Sequence, residues 1–229
     1  MHSSSEEEFC KKNSLFKYSG FYEIEGCVYM IAIIDYDAGN LKSVEKALIL
    51  LGEEPVITRD KELLHKADKI ILPGVGAFGN AMKKLHHYKL VDTIKDLAKN
   101  KPFLGICLGL QLMFDESEEA PGINGLGLLP GKIVRIPDGP DLKIPHIGWN
   151  DIALPKSSRL FDGIPQYSYV YFVHSYYLCA QNLQDVAATT FYSTTIHAAI
   201  ESDNLFGCQF HPEKSGGIGL QILRNFADL

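Results

Sequence analysis

Lys101-Pro-Phe-Leu-Gly-Ile-Cys-Leu-Gly-Leu-Gln111 decides how the chain is read. Phe103 to Ile106 is a short apolar run, the size of a fully buried strand. Cys107 follows at once, between Gly105 and Gly109, and Leu108 to Phe114 reads as the start of a helix. A strand, a sharp turn carrying a thiol and a helix form the thiol version of the Gly-x-Ser-x-Gly nucleophile elbow. An elbow crowds backbone against backbone, so flanking positions without a Cβ relieve the clash. A thiol placed there sits at a helix N-terminus, where the dipole favours the thiolate. The N–H of Leu108 then points toward a developing oxyanion. For the pentapeptide alone, a buried core cysteine at a strand end is the competing reading.

Upstream the pattern is regular. Ile31 to Ile34 reads as a buried strand, ended by Asp35-Tyr-Asp-Ala-Gly-Asn40, with Asn40 as N-cap. Leu41, Val44, Leu48 and Leu51 fall at helical spacing, and Gly52 closes that helix. Pro55–Thr58 and Lys69–Leu72 read as strands, the latter running into Pro73-Gly-Val-Gly76. Phe78, Met82 and Leu85 mark one helix, and Leu90 to Lys99 another. Strands alternating with helices predict an α/β fold: a mostly parallel sheet with helices on both faces. Ligands bind such sheets at the carboxyl ends of the strands, where both Pro73–Gly76 and Cys107 lie.

Downstream the character changes. Asp115 to Gly122 is an acidic loop, and from Gly131 to Phe210 strands and turns dominate. Ile196–Ile200 and Leu205–Phe210 read as a hairpin turning at Ser202-Asp-Asn204, and a last helix starts near Ile218. The expectation is one domain over residues 30–229, with a β-rich C-terminal half. Residues 1–29 show no period and read as an extension that is poorly ordered or without function, Met30 being a plausible start.

Composition narrows the function classes. The chain has 229 residues, 46% of them apolar, which is enough for a sizeable core. A formal net charge of −6 with no basic block argues against nucleic acid or an anionic membrane as partner. No apolar run approaches a membrane span. The acidic, polar start is no signal peptide. The five cysteines are odd in number and no pair has metal-ligand spacing, which fits a reducing, cytoplasmic setting without a metal or cofactor.

A thiol nucleophile needs a base, and histidine suits that role at neutral pH. His211-Pro-Glu213 follows a predicted strand and presents an imidazole and an orienting carboxylate from one stiff turn. Taken alone it is equally a surface turn. The glycines of Pro73–Gly76 let backbone N–H groups face a ligand closely, although the tetrapeptide alone is an ordinary strand–helix turn. Gln111 is four residues beyond Cys107 and shares its helix face. His65, His86 and His87 read as solvated helix positions, His174 as part of a pocket-shaping loop, and Cys179 and Cys208 as core. Tyr167, Tyr169 and Tyr171 share one strand face, for packing or partner contact.

Together these stretches resemble the class I, triad-type glutamine amidotransferases. The resemblance rests on Ile33-Ile-Asp-Tyr-Asp-Ala-Gly-Asn-Leu41, Leu72-Pro-Gly-Val-Gly-Ala-Phe-Gly79, the Cys107 elbow, Glu116-Ser-Glu-Glu-Ala-Pro-Gly122, Pro145-His-Ile-Gly-Trp-Asn150, Tyr171-Phe-Val-His-Ser-Tyr176 and Gln209-Phe-His-Pro-Glu-Lys-Ser215. Within that group the chain is similar to the glutaminase subunits of imidazole glycerol phosphate synthase, from about Met30 to the C-terminus.

The resemblance implies hydrolysis of L-glutamine to glutamate and ammonia through a γ-glutamyl thioester. It implies Cys107 as nucleophile, His211 as base and acid, and Glu213 as its orienting partner. Gly74, Val75, Gly76 and Leu108 would form the oxyanion hole, and Gln111, Ser175 and Tyr176 would hold the substrate. It further implies a heterodimer with a (β/α)8 cyclase subunit that receives the ammonia. Asp37–Asn40, Pro73–Gly76 and His146–Trp149 are expected near that interface; for Trp149 a place in the core is equally open. Three alternatives remain: a paralogous subunit feeding a sugar-amidation enzyme, a stand-alone cysteine γ-glutamyl hydrolase, and a non-catalytic scaffold.

Overall fold

The structure, a computed structural model, describes residues 29–139 and 142–229. The expectation for the extension 1–29 therefore lies outside the described residues, Tyr29 excepted. In chain order the elements are β1 (Ile31–Ile34), α1 (Leu41–Leu50), β2 (Val56–Thr58), α2 (Lys61–Lys66), β3 (Lys69–Gly74), α3 (Phe78–His87), α4 (Val91–Asn100), β4 (Phe103–Cys107) and α5 (Leu108–Leu112). There follow β5 (Glu116–Ser117), β6 (Gly131–Arg135), β7 (His146–Ile152), β8 (Ser168–His174), β9 (Tyr176–Ala180), β10 (Val186–Tyr192), β11 (Thr194–Ser202), β12 (Leu205–Cys208) and α6 (Gly216–Ala227).

The main sheet runs β2-β1-β3-β4-β12-β11-β9-β6-β5, with β10 on β11. From β2 to β12 every pairing is parallel. From β12 through β11 and β9 to β6 it is antiparallel. β7 and β8 form a separate antiparallel ribbon. Every residue of β1, β3 and β4 is buried, as strands covered on both faces must be. Alternation divides them between two cores. Ala32, Ile34, Ile70 and Leu72 pack with α3, α4 and α5. Ile31, Ile33, Ile71, Leu104 and Ile106 pack with α1, α6 and the ribbon residues Ile152, Val170 and Phe172.

Several local expectations are corrected. Asn40 does not cap α1 with its side chain; its backbone is left-handed (φ 74°) and its amide points elsewhere. The short helix α2 has no amphipathic stripe long enough to read, but Asp60 caps it by accepting from Glu62 N and Leu63 N. α5 ends at Leu112, short of Phe114, and α6 begins at Gly216 rather than near Ile218. Cys179 is exposed, because β9 turns Leu178 and Ala180 inward and Cys179 outward. Cys208 is core. His174 is not in a loop but closes β8.

The register sets Gly74 of β3 beside Cys107 of β4. The β3–α3 and β4–α5 turns therefore open side by side, at the carboxyl edge of the parallel strands.

Candidate active site

Cys107 has φ 53° and ψ −110°. A non-glycine residue in such a conformation costs on the order of 1–3 kcal/mol and persists only where its surroundings over-determine it. They do so here. A Cβ on Gly109 would lie 1.7 Å from the Leu72 carbonyl oxygen, and one on Gly105 would lie 2.7 Å from Leu110 N. The two flanking glycines are thus demanded by backbone contact. The sulfur is buried, 3.7 Å from Gln209 Nε2 and 4.0 Å from the Val173 carbonyl oxygen.

β12 delivers His211 to the same edge. Its main chain is fixed by donation from His211 N to Tyr171 O (2.9 Å) and from Ser215 Oγ to His211 O (2.6 Å). His211 Nδ1 lies 2.7 Å from Glu213 Oε1, and both side chains are shut off from solvent. Asn40 Nδ2 donates to the same carboxylate oxygen. His211 Nε2 and Glu213 Oε2 have no hydrogen-bond partner. Burial disfavours the imidazolium, but the nearby Cys107 sulfur and the Glu213 carboxylate outweigh it and lift His211 to about 10. Although Nε2 makes no hydrogen bond to the thiol, the sulfur is near enough to favour the charge. With Nδ1 committed to Glu213, Nε2 is the atom left to exchange protons with the sulfur or a substrate.

The neighbouring turn is held from beneath. The buried Tyr36 hydroxyl donates to Pro73 O at 2.9 Å. Burial, and then the Cys107 charge, push the Tyr36 phenol above its ordinary range, so it stays a donor. Beyond that anchor Val75 is 39% exposed and lies against Gly39, and Gly76 has φ +100° with nothing near its Cβ position. Leu108 supplies the first N–H of α5, beside the sulfur.

Gln111 is buried, and its amide nitrogen is engaged by partners other than the sulfur. Its Nε2 donates to Tyr176 O (2.9 Å) and to Gln209 Oε1 (3.0 Å). Ser175 and Tyr176 thus lie beside it, and Ser175 O accepts from Ile136 N. Cys107, His211, Glu213, Gly74, Val75, Gly76, Leu108, Gln111, Ser175 and Tyr176 all gather at one edge of the sheet.

Sequence reasoning missed three members of this neighbourhood. Gln209 stands two residues before His211, an alternation that offered a signal. Tyr36 offered none, since its partner Pro73 is remote in sequence. Glu119 of the acidic loop accepts from Phe78 N (2.8 Å), tying that loop to the start of α3.

Trp149 is 54% exposed and meets Tyr171 edge-on at 6.0 Å, so it is not in the core. Ile147 and Tyr169 are exposed on the same ribbon. Tyr167 precedes β8 with φ 61° and is exposed as well. His65, His86 and His87 are exposed on α2 and α3. Among the described residues no helix is long and apolar enough to cross a membrane.

The arrangement suits attack by a thiol on a carbonyl carbon, with proton transfer through His211 Nε2 and backbone N–H groups facing the oxyanion. The family model for glutamine amidotransferase class-I matches residues 32–229. The chain is 50% identical over 202 residues to the imidazole glycerol phosphate synthase subunit HisH of Methanothermobacter thermautotrophicus, covering 87% of this chain and 98% of that one. It is also 50% identical to the subunit of the same name from Thermosynechococcus vestitus, covering 87% and 96%. Among solved structures, a glutamine amidotransferase superposes with TM-score 0.68 at 19% identity, over 86% of this chain and 96% of that one. PurLQS from Thermotoga maritima superposes with TM-score 0.67 at 20% identity, over 86% and 97%. These two likenesses show the fold.

Proposed function

The chain belongs to the class I glutamine amidotransferases, in the line of the imidazole glycerol phosphate synthase HisH subunits, and we propose that Cys107, His211 and Glu213 carry its reaction. The chain is a glutaminase subunit. It hydrolyses glutamine to glutamate and ammonia, for imidazole glycerol phosphate synthesis in histidine biosynthesis. Its partner is the cyclase subunit. One observation carries the assignment of roles: a strained, buried thiol shares its site with a buried histidine–carboxylate pair only 2.7 Å apart.

Cys107 gives its proton to His211 Nε2, and the sulfur attacks the side-chain carbonyl carbon of glutamine. The carbonyl π pair moves onto oxygen, which the N–H of Leu108 and the peptides of Gly74–Val75–Gly76 receive. His211 returns the proton to the amide nitrogen as the C–N bond breaks, releasing ammonia and leaving the γ-glutamyl thioester. Water then attacks the thioester, giving its proton to His211, and the C–S bond breaks to free glutamate. A histidine held at about 10 carries its proton before the amide nitrogen needs it. Glu213 keeps Nδ1 protonated and Nε2 facing the sulfur. Gln111 and the Ser175–Tyr176 backbone hold the substrate.

The oxyanion hole is gated. Gly74 is held by its pairing with Cys107 and by the Tyr36 bond to Pro73 O, but Gly76 has φ +100° with nothing near its Cβ position, so the peptide beyond Gly74 flips into place when partner and ligand bind. The exposed ribbon of Ile147, Trp149 and Tyr169, with Asp37–Asn40 and Val75, faces the cyclase. Ammonia passes into the interior of that barrel. Residues 30–229 make up the amidotransferase domain and residues 1–29 take no part in it. A cytoplasmic setting, which keeps the reactive thiol reduced, completes the proposal.

The test is glutamate release by the purified chain alone, with the cyclase subunit, and with that subunit plus its ribonucleotide ligand. Low activity alone, a strong rise with partner and ligand, and none from Cys107→Ala support the proposal. Full activity of the free chain overturns the gate, and an active Cys107→Ala chain overturns the nucleophile.

A further inference from the structure

A second buried polar cluster adjoins the site and takes no part in the proton transfers of the reaction. His146 Nδ1 and His174 Nε2 are 3.1 Å apart, and His174 Nδ1 lies 2.9 Å from Tyr176 O. Asn150 Nδ2 lies 3.4 Å from His146 Nε2 and 3.0 Å from Phe191 O. The ends of this row dictate its protons. A carbonyl oxygen only accepts, so His174 carries its hydrogen on Nδ1. Its Nε2 is then an acceptor, and His146 must offer Nδ1–H. His146 Nε2 in turn accepts from the Asn150 amide. A proton added to either ring would set two N–H groups against each other. Burial acts in the same sense, pushing His146 down to about 4 and His174 to about 3.

The row continues through Tyr176. The same carbonyl oxygen accepts one Nε2 hydrogen of Gln111, and the other goes to Gln209 Oε1. With its oxygen engaged, Gln209 turns its amide nitrogen to the Cys107 sulfur at 3.7 Å. Reversing that amide would place donor against donor at Gln111 and leave an acceptor facing the sulfur. Gln209 has no exposure to solvent that would satisfy either group.

We propose that Gln209 is a positioning residue of the glutaminase reaction, an N–H donor that holds the Cys107 sulfur, that Gln111 fixes its orientation, and that the neutral His174–His146 pair buttresses the Tyr176 carbonyl on which Gln111 is aligned. The proposal rests on the reading of Cys107 as nucleophile. A donor aimed at the sulfur favours thiolate over thiol and aligns it for attack. The titratable groups that feel the Cys107 charge are His211, itself paired with Glu213, Tyr36 and Cys208. Gln209 adds a dipole to them without adding a charge.

Alkylation of Cys107 by iodoacetamide, mapped by mass spectrometry across pH on the whole chain, reads the sulfur without glutamine. Gln209→Met keeps the size and removes the donor. Its alkylation profile moves upward by about one pH unit, with about a tenfold lower rate at neutral pH. Gln209→Glu sets an acceptor in the same place and moves it further. His146→Phe preserves the ring stack against Phe172 and Tyr192 but breaks the row, giving a smaller displacement in the same direction. An unmoved profile in Gln209→Met, whatever happens to its melting temperature, overturns the role of Gln209.

Nitrogen-15 NMR of the unsubstituted chain requires no variant to fold. Both His174 and His146 are expected neutral with the hydrogen on Nδ1 from about pH 6 to 8. A hydrogen on Nε2 of either ring breaks the row and overturns the proposal. Neither readout needs turnover, so a chain without glutaminase activity refutes the function proposed above while these outcomes still judge the positioning.

Discussion

Two histidine pairs lie buried at the same edge of the sheet and behave oppositely. His211 with Glu213 is driven toward the charged form, at about 10. His174 with His146 is driven toward the neutral form, at about 3 and about 4. Burial pushes all three rings the same way, so it does not make the difference. The neighbours do. His211 has a carboxylate and a thiol sulfur beside it, each stabilising an imidazolium. His174 has a carbonyl oxygen on one nitrogen and another imidazole on the other. One pair is built to carry a proton; the other is built never to take one.

The largest way to break this contrast is Glu213→Gln, which leaves the shape and removes the charge. Turnover should fall about 10³–10⁴-fold, as when a triad loses its orienting carboxylate. His211 should then titrate below 10 in an NMR titration, still raised by the Cys107 sulfur. Turnover within tenfold of the unsubstituted enzyme would mean that the carboxylate does not set the state of His211.

Stability against pH should separate the pairs next. His211 has a folded value raised above the unfolded 6.5, so its contribution is full below about pH 6.5 and is lost as pH rises through about 10. His174 and His146 have folded values lowered beneath it. The unfolded chain takes up those protons first, so their contribution is full above about pH 6.5 and is lost as pH falls toward 4. Thermal melts of Glu213→Gln should flatten the alkaline slope, leaving the share that the Cys107 sulfur supplies, and keep the acid one. Melts with both slopes intact would put the alkaline loss elsewhere.

Asn40→Ala removes a donor to Glu213 Oε1 while keeping the carboxylate. Turnover should fall about tenfold, the scale of one hydrogen bond to a charged group. No change would show that Glu213 is held without it. The smallest effect is expected from Asn150→Ala at the far end of the neutral row: about two- to threefold in turnover, with the His146 tautomer no longer single by NMR.

How much of this was legible depended on sequence distance. The elbow was legible because Gly105, Cys107 and Gly109 are local, and the demand for each glycine comes from backbone contacts at the turn. His211 and Glu213 were legible as a pair for the same reason. Asn40 was misread because a polar residue before a helix is a good cap in isolation. Its real partner, Glu213, is 173 residues away. Cys179 was misread because apolar neighbours on a strand do not say which face is covered. Gln209, Tyr36 and the His174–His146 pair stayed hidden because their partners arrive on other strands.

The sequence by itself determined the alternation of strands and helices, the strained thiol turn, the stiff histidine–carboxylate turn and the family. All of these rest on short-range sterics and periodicity. Only the tertiary structure decided which protons the buried histidines keep. Protonation follows from dielectric and from neighbours within a few ångströms, and the sheet order brings those together from β4, β7, β8, β9 and β12.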